Sequence, residues 1–250
     1  MSGHSKWATI KRKKAANDAK RSNAYAKLLR AVEVAAREGG GDPDANMTLA
    51  SAIEKAKSFS VPNDNIERAV KRGSGADDSG ARYEELQYEG YAPGGIAVLV
   101  EALTDNRNRT GQEVRHAFAR SNGSFGEQGS TAWMFERQGL IVVEKAVAPD
   151  EDRMLELALE SGAGDLRDAE SSWDIVCDPG AFRSVQGALE TAGVPVFSAE
   201  VTMIPKSTIP VDGGEAKQVL ALVEALEELD DVQNVYANFD IPEAVMAEIG

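Results

Sequence analysis

The chain has 250 residues, 42% of them hydrophobic and 27% charged, with one cysteine and a formal net charge of −14. That length exceeds the usual single domain, so two or three cores are expected, and the composition excludes a disordered or low-complexity chain. Cys177 has no disulfide partner, and no apolar run approaches the roughly 20 residues needed to cross a bilayer, so a reducing, cytoplasmic setting without a membrane is expected.

The charge is unevenly spread. Residues 1–37 hold ten lysines and arginines (Lys6, Lys11, Arg12, Lys13, Lys14, Lys20, Arg21, Lys27, Arg30 and Arg37) against Asp18 and Glu33, a local charge of +8 that leaves −22 for the other 213 residues. This basic opening lacks the hydrophobic run of a secretory signal. Over residues 22–37, Tyr25, Leu28, Leu29, Val32 and Ala36 fall at helical spacing, and Lys20, Lys27, Arg30 and Arg37 fall on the opposite face. A second helix is expected from Asn46 through Ala52, Ile53 and Ala56. In a third, Asp64 and Glu67 read as a capping box ahead of Ile66, Ala69 and Val70, with Gly73 as the stop.

Glycine, serine, aspartate and proline gather at residues 73–82, 121–130 and 205–215, which read as hinges. After the first, residues 83–91 and 96–103 predict a hairpin turned at Ala92-Pro93-Gly94-Gly95. Thr110 and Glu113 then read as the cap of a helix carrying Val114, Ala117 and Phe118. Between the second and third hinges, strands are expected at 132–137, 140–144, 165–169, 173–178 and 196–204, with helices at 150–161 and 180–192. Beyond the third, a helix over 216–229 carries Val219, Leu220, Val223 and Leu226, and a strand follows at 232–239. The predicted fold class is α+β: an N-terminal helical bundle followed by two ferredoxin-like α/β domains, one inserted in the other. Their expected extents are 1–75 for the arm and helices, 80–130 plus 206–250 for the discontinuous unit, and 131–205 for the insert.

Phosphates call for several cations on one surface, and the first 37 residues supply them, so nucleic acid is the expected partner. The expected contacts are Lys6, Lys11, Arg12, Lys13, Lys14, Lys20, Arg21, Lys27 and Arg30, with Trp7 placed to stack a base. The alternative is a solvated arm, with Trp7 packed on the bundle. A second candidate is the stretch 104–110, where Arg107 and Arg109 precede a helix N-terminus that attracts anions. Its alternative is a turn held by Asp105, Asn106 and Asn108 with the arginines paired to the acidic body. No Walker loop or dinucleotide fingerprint is present, and His4 and His116 stand apart, so no catalytic residue, cofactor or metal is expected. Cys177 alternates in phase with Trp173 and Ile175 and reads as core. The acidic run Glu224, Glu227, Glu228, Asp230 and Asp231 reads as a solvated helix face, its spacing unlike a calcium loop.

Six stretches in order resemble the YebC family: 1–8 (MSGHSKWA), 40–43 (GGDP), 61–66 (VPNDNI), 88–91 (YEGY), 104–109 (TDNRNR) and 231–236 (DVQNVY). The resemblance implies a helical first domain and two α/β domains. It also implies DNA-binding transcriptional regulation, with related mitochondrial members acting as translational activators of cytochrome oxidase and bacterial members linked to the ribosome. The family's opening motif carries over onto residues 2–8. The expected function is therefore a nucleic-acid-binding regulator, on DNA or, in the alternative, on ribosomal RNA through the same arm; an enzyme using an acidic cleft between the domains is the weakest alternative, resting only on the carboxylates.

Overall fold

The computed structural model describes residues 18–75, 83–242 and 245. Helices α1 (Asp18–Gly39), α2 (Met47–Ser58) and α3 (Asn63–Ser74) form the bundle. Val32, Ala35 and Ala36 of α1 pack on Leu49 and Ala56 of α2 and on Ile66 and Ala69 of α3, with Tyr25, Leu28 and Leu29 half-buried beside them. The i, i+3, i+4 recurrence that marked these residues in the sequence is the stripe that closes the core. Asn46 caps α2 by accepting from Leu49 N (3.1 Å), and its amide donates to Ala35 O and Gly40 O (2.8 Å each), tying the corner to α1.

Two of the expected helix signals work differently. The Asp64–Glu67 capping box does not form, because α3 already starts at Asn63 behind Pro62, which provides no side-chain cap. Asp64 instead lies in the first turn, where its charge suits the helix dipole. Gly73 does not stop the helix; it lies inside α3, where a Cβ would stand 2.1 Å from Glu33 O of α1. The glycine is needed for the two backbones to approach.

The first antiparallel sheet has the order β3-β1-β2-β9, from β1 (Glu84–Ala92), β2 (Ile96–Thr104), β3 (Ser124–Phe125) and β9 (Val232–Ala237). The hairpin turns at Pro93–Gly95, where Gly94 and Gly95 take φ of 78° and 74°. Helices α4 (Arg107–Arg120) and α7 (Gly213–Glu227) cover one face, burying Val98, Val100, Val114, Phe118, Val219 and Val223. The second sheet has the order β5-β6-β4-β7, from β4 (Phe135–Glu144), β5 (Asp165–Asp168), β6 (Ser172–Cys177) and β7 (Ser198–Pro205). Helices α5 (Glu151–Ser161) and α6 (Phe182–Thr191) complete a β-α-β-β-α-β unit with ferredoxin-like strand order. The first sheet is likewise an antiparallel sheet with helices on one face, but its chain order begins with the hairpin. The fold class is α+β.

Residues 132–144, expected as two strands, form one strand preceded by a single 3-10 turn at Ala132–Met134. Gly139 does not break it: a Cβ there would stand 2.7 Å from Cys177 Sγ and 2.8 Å from the Phe182 ring, so the glycine makes room for α6. The stretch read as a third hinge holds β8 (Ile209–Pro210), paired in parallel with β10 (Phe239–Asp240), and Asp212, which caps α7. The two α/β units meet where Ala97, Leu99 and Tyr236, on the back of the first sheet, pack against Phe135 and Met203.

Candidate nucleic-acid interface

Of the cations singled out in the sequence, Lys6, Lys11, Arg12, Lys13 and Lys14, together with Trp7, lie outside the described residues, as do the side chains of Lys20 and Arg21 in α1. Lys27 and Arg30 are well placed to report on α1. With Asn23 they fall at i, i+4 and i+7, one face of the helix, and that face meets the C-terminal end of α7. Asn23 Nδ2 donates to Glu228 O (3.2 Å), Lys27 Nζ to Glu227 O, and Arg30 to Asp230 O (3.1 Å) and Leu103 O (3.3 Å). The last carbonyls of a helix lack intrahelical donors and carry the negative end of its dipole, so cations are the natural partners. These two side chains are thus engaged by the body, and a phosphate would have to compete with it.

Asp231 is the centre of this junction. It is 3% exposed, at the turn between α7 and β9, and its carboxylate collects donors from three parts of the chain. Arg30 reaches Oδ1 at 2.9 Å; Arg109, Thr110 and Thr104 reach Oδ2 at 2.6, 2.7 and 3.0 Å. Its backbone carbonyl accepts from Leu103 N at 2.8 Å. Burial pushes the carboxyl up, but the hydrogen bonds from Arg109, Thr110 and Thr104 outweigh it and hold the group below the usual carboxylate range.

The loop 104–110 is built around that carboxylate. Asn106, rather than Thr110, caps α4, accepting from Arg109 N at 3.1 Å, while Asn106 N donates to Thr104 Oγ1 at 2.9 Å. Thr110 lies inside α4, fully buried, with its hydroxyl on Asp231. Arg109 bridges Asp231 and Asp105 (3.0 Å), so this arginine is paired to the body. Arg107 is exposed on the first turn and forms no ion pair among the described residues; its carbonyl accepts from the Tyr88 hydroxyl at 3.4 Å.

A second buried carboxylate organises the neighbouring loop. Glu89, in β1, accepts from the amides of Gly129, Thr131 and Ala132 at 2.6, 2.5 and 2.7 Å. Burial pushes its carboxyl up, and those amides pull it below the ordinary range. Lys55 of α2 ties the bundle to both sheets, through Asn234 Oδ1 (3.3 Å) and Glu200 (3.6 Å). Cys177 is buried in the core of the second unit, and burial raises its thiol. His116 is exposed on α4. Among the described residues no group of His, Cys, Asp and Glu could hold a metal ion, and no helix is long and apolar enough to cross a membrane.

The sequence reading missed Asp231 and Glu89 as organising groups. Asp231 was read into a solvated acidic run, yet it is buried. Two features of the sequence set it apart from that run: it opens the family-like stretch 231–236, and it is an acid immediately before a strand that begins Val232-Gln233-Asn234.

Residues 5–76 match the family described as "TACO1/YebC protein N-terminal domain", and residues 83–239 match "TACO1/YebC second and third domain". A "Probable transcriptional regulatory protein" of Pelotomaculum thermopropionicum is 57% identical over 242 residues, 96% of this chain and 99% of that protein. Another of the same name, from Rubrobacter xylanophilus, is 53% identical over 249 residues, covering 100% of this chain and 99% of its own. The crystal structure of a conserved hypothetical protein, Aq1575 from Aquifex aeolicus, superposes with a TM-score of 0.78 at 47% identity, covering 90% of this chain and 92% of that one.

Proposed function

We propose that this chain, which belongs to the TACO1/YebC family, regulates gene expression by holding a nucleic-acid backbone with the basic segment ahead of and within α1. The observation that carries this reading is the concentration of ten cations in the first 37 residues of an otherwise anionic chain. The names of the relatives, probable transcriptional regulatory proteins, support a regulatory role on DNA.

The junction supports a division of labour among these cations. Lys27, Arg30 and Arg109 are engaged by the body's own carbonyls and carboxylates, so the phosphate contacts fall to Lys6, Lys11, Arg12, Lys13, Lys14, Lys20 and Arg21, with Arg107 apart from them. The bundle is the anchor that fixes α1 to the body, and the segment ahead of it is the grip.

About six phosphate contacts predict a log-log salt slope near −5 on duplex DNA and near −4 on single strands. Replacing Lys11, Arg12, Lys13 and Lys14 together with glutamine is expected to flatten the duplex slope by about 3 to 4. An unchanged slope and affinity would overturn the reading.

A second reading, the same grip on ribosomal RNA, is favoured by one observation. Asn23, an amide of α1 that could read a base edge, donates instead to Glu228 O on the face that meets α7, so that amide is given to the body, which suits recognition of RNA by shape and backbone better than readout of one promoter sequence. Ribosome co-sedimentation that survives DNase and is lost in the four-glutamine variant would select it; tight binding to one promoter against competitor DNA would select the first.

A further inference from the structure

A second cationic surface lies on α4. This helix carries four arginines against the single acid Glu113, whereas α5 carries one arginine against four acids and α7 one lysine against three glutamates. Arg109 is consumed by Asp231 and Asp105. Arg107 and Arg115 are exposed and form no ion pair among the described residues. They fall at i and i+8, on one face, about 12 Å apart along the axis. Between them stands Gly111, so the face is bare, and the Tyr88 hydroxyl lies 3.6 Å from where a Cβ would be.

Arg115, at one end of that face, lines a cleft of about 560 Å³ with Gln87, Tyr88, Glu89, Phe125 and Glu127; Arg107, at the other end, stands at its edge, its carbonyl accepting from the Tyr88 hydroxyl at 3.4 Å. Tyr88 and Phe125 are half-buried, with ring centroids 6.1 Å apart, and the Arg115 guanidinium sits 4.8 Å over the Phe125 ring. Of the two acids in the lining, Glu89 is buried with its carboxylate given to three amides, and Glu127 is exposed at the rim, where a carboxylate can accept from an exocyclic base amine. Aromatic faces, amide and carboxylate edges and flanking arginines are the set that takes an unpaired base with the phosphates on either side.

We propose that the cleft between β1 and α4 binds one unpaired nucleotide of a single strand, its base against Tyr88 and the Arg115 guanidinium that covers Phe125, and its backbone passing toward Arg107. This rests on the nucleic-acid reading above and adds to it a preference for unpaired over duplex structure. A base held in a stack is not available to these rings, so the arm supplies affinity for any backbone and the cleft selects strands that are open.

The test uses the full chain and fluorescein-labelled oligonucleotides of about 12 nucleotides: a ribo strand, a deoxyribo strand and the duplex of the latter. Tyr88→Leu and, separately, the surface pair Arg107→Gln with Arg115→Gln are each expected to weaken single-strand binding about tenfold and duplex binding less than twofold. The four-glutamine arm variant is expected to weaken all three probes. The stronger of the ribo and deoxyribo arms identifies the source of the strand. If the arginine pair, which leaves the core untouched, weakens single strand and duplex alike, or neither, the cleft proposal is overturned. If the cleft variants behave as expected while the arm variant binds as wild type, the backbone-grip reading fails and the cleft stands.

Discussion

Replacing Asp231 with asparagine tests the junction with almost no change of shape. The carboxylate offers two acceptor oxygens to four donors, Arg30 on one and Arg109, Thr110 and Thr104 on the other. An amide keeps one oxygen and turns an NH2 toward one of those sets, so at least one charge-assisted hydrogen bond becomes a donor facing a donor. Loss of such a bond costs about 1.5–3 kcal/mol. Breaking a fully buried ion pair costs about 3–5 kcal/mol. Arg30 and Arg109 are 21% and 44% exposed, so water recovers part of that and the lower range applies.

We expect a loss of about 2–3 kcal/mol, concentrated where α1 meets α7. Hydrogen exchange resolved by peptide should then speed up at the α1 amides by about 30- to 150-fold at pH 7, while the core of the second sheet keeps its protection. The pH dependence has a fixed sign. A carboxyl held below its ordinary value stabilises the fold above the unfolded pKa of about 3.9, and that contribution disappears as pH falls through the folded-state value. The gap between wild type and Asp231→Asn should therefore be flat from pH 7 to about 5 and close in stronger acid. Equal protection of α1 in the two proteins at pH 7 would refute the reasoning.

Gly73→Ala gains about 1 kcal/mol in helix propensity, but its methyl would stand 2.1 Å from a backbone oxygen of α1 that cannot swing aside. Overpacking wins, and the bundle's thermal midpoint should fall by about 5–10 °C, read by circular dichroism. Glu89→Gln should raise exchange at Gly129, Thr131 and Ala132 about tenfold or more while leaving the bundle unchanged. In the wild type that protection should fade in acid below the ordinary glutamate value of about 4.3, because the folded carboxyl is depressed, and the glutamine variant should lack this acid step.

Much of the fold was legible because it depends on local repetition. The hairpin at 83–103, the stripe of Val219, Leu220, Val223 and Leu226, and the in-phase Trp173, Ile175 and Cys177 all appear in the core where their periodicity puts them. What was not legible depends on distant partners. Thr110 looks like a cap until Asp231, 121 residues away, takes its hydroxyl, and Gly73 looks like a stop until the Glu33 carbonyl of α1 presses on it. The basic face of α1 was visible as a face, but sequence counts charges without showing which of them the molecule's own carbonyls already hold, as they hold Lys27 and Arg30.

The strand order of the first sheet has a consequence for synthesis. β2 ends at Thr104, yet its outer neighbour β9 begins at Val232, so a growing chain makes the whole second sheet before that edge can be covered. At about 5–20 residues per second the wait is about 6–25 s, with the outer edge of β2, along Ile96-Ala97-Val98-Leu99-Val100, open to other chains while its inner edge is held by β1. Asp231 emerges at the same moment as β9, so the edge is sealed and the helices are clamped in one event. A nascent polypeptide terminated before this point has neither, which makes incomplete products sticky, loosely assembled and easy for proteases to tell from finished ones.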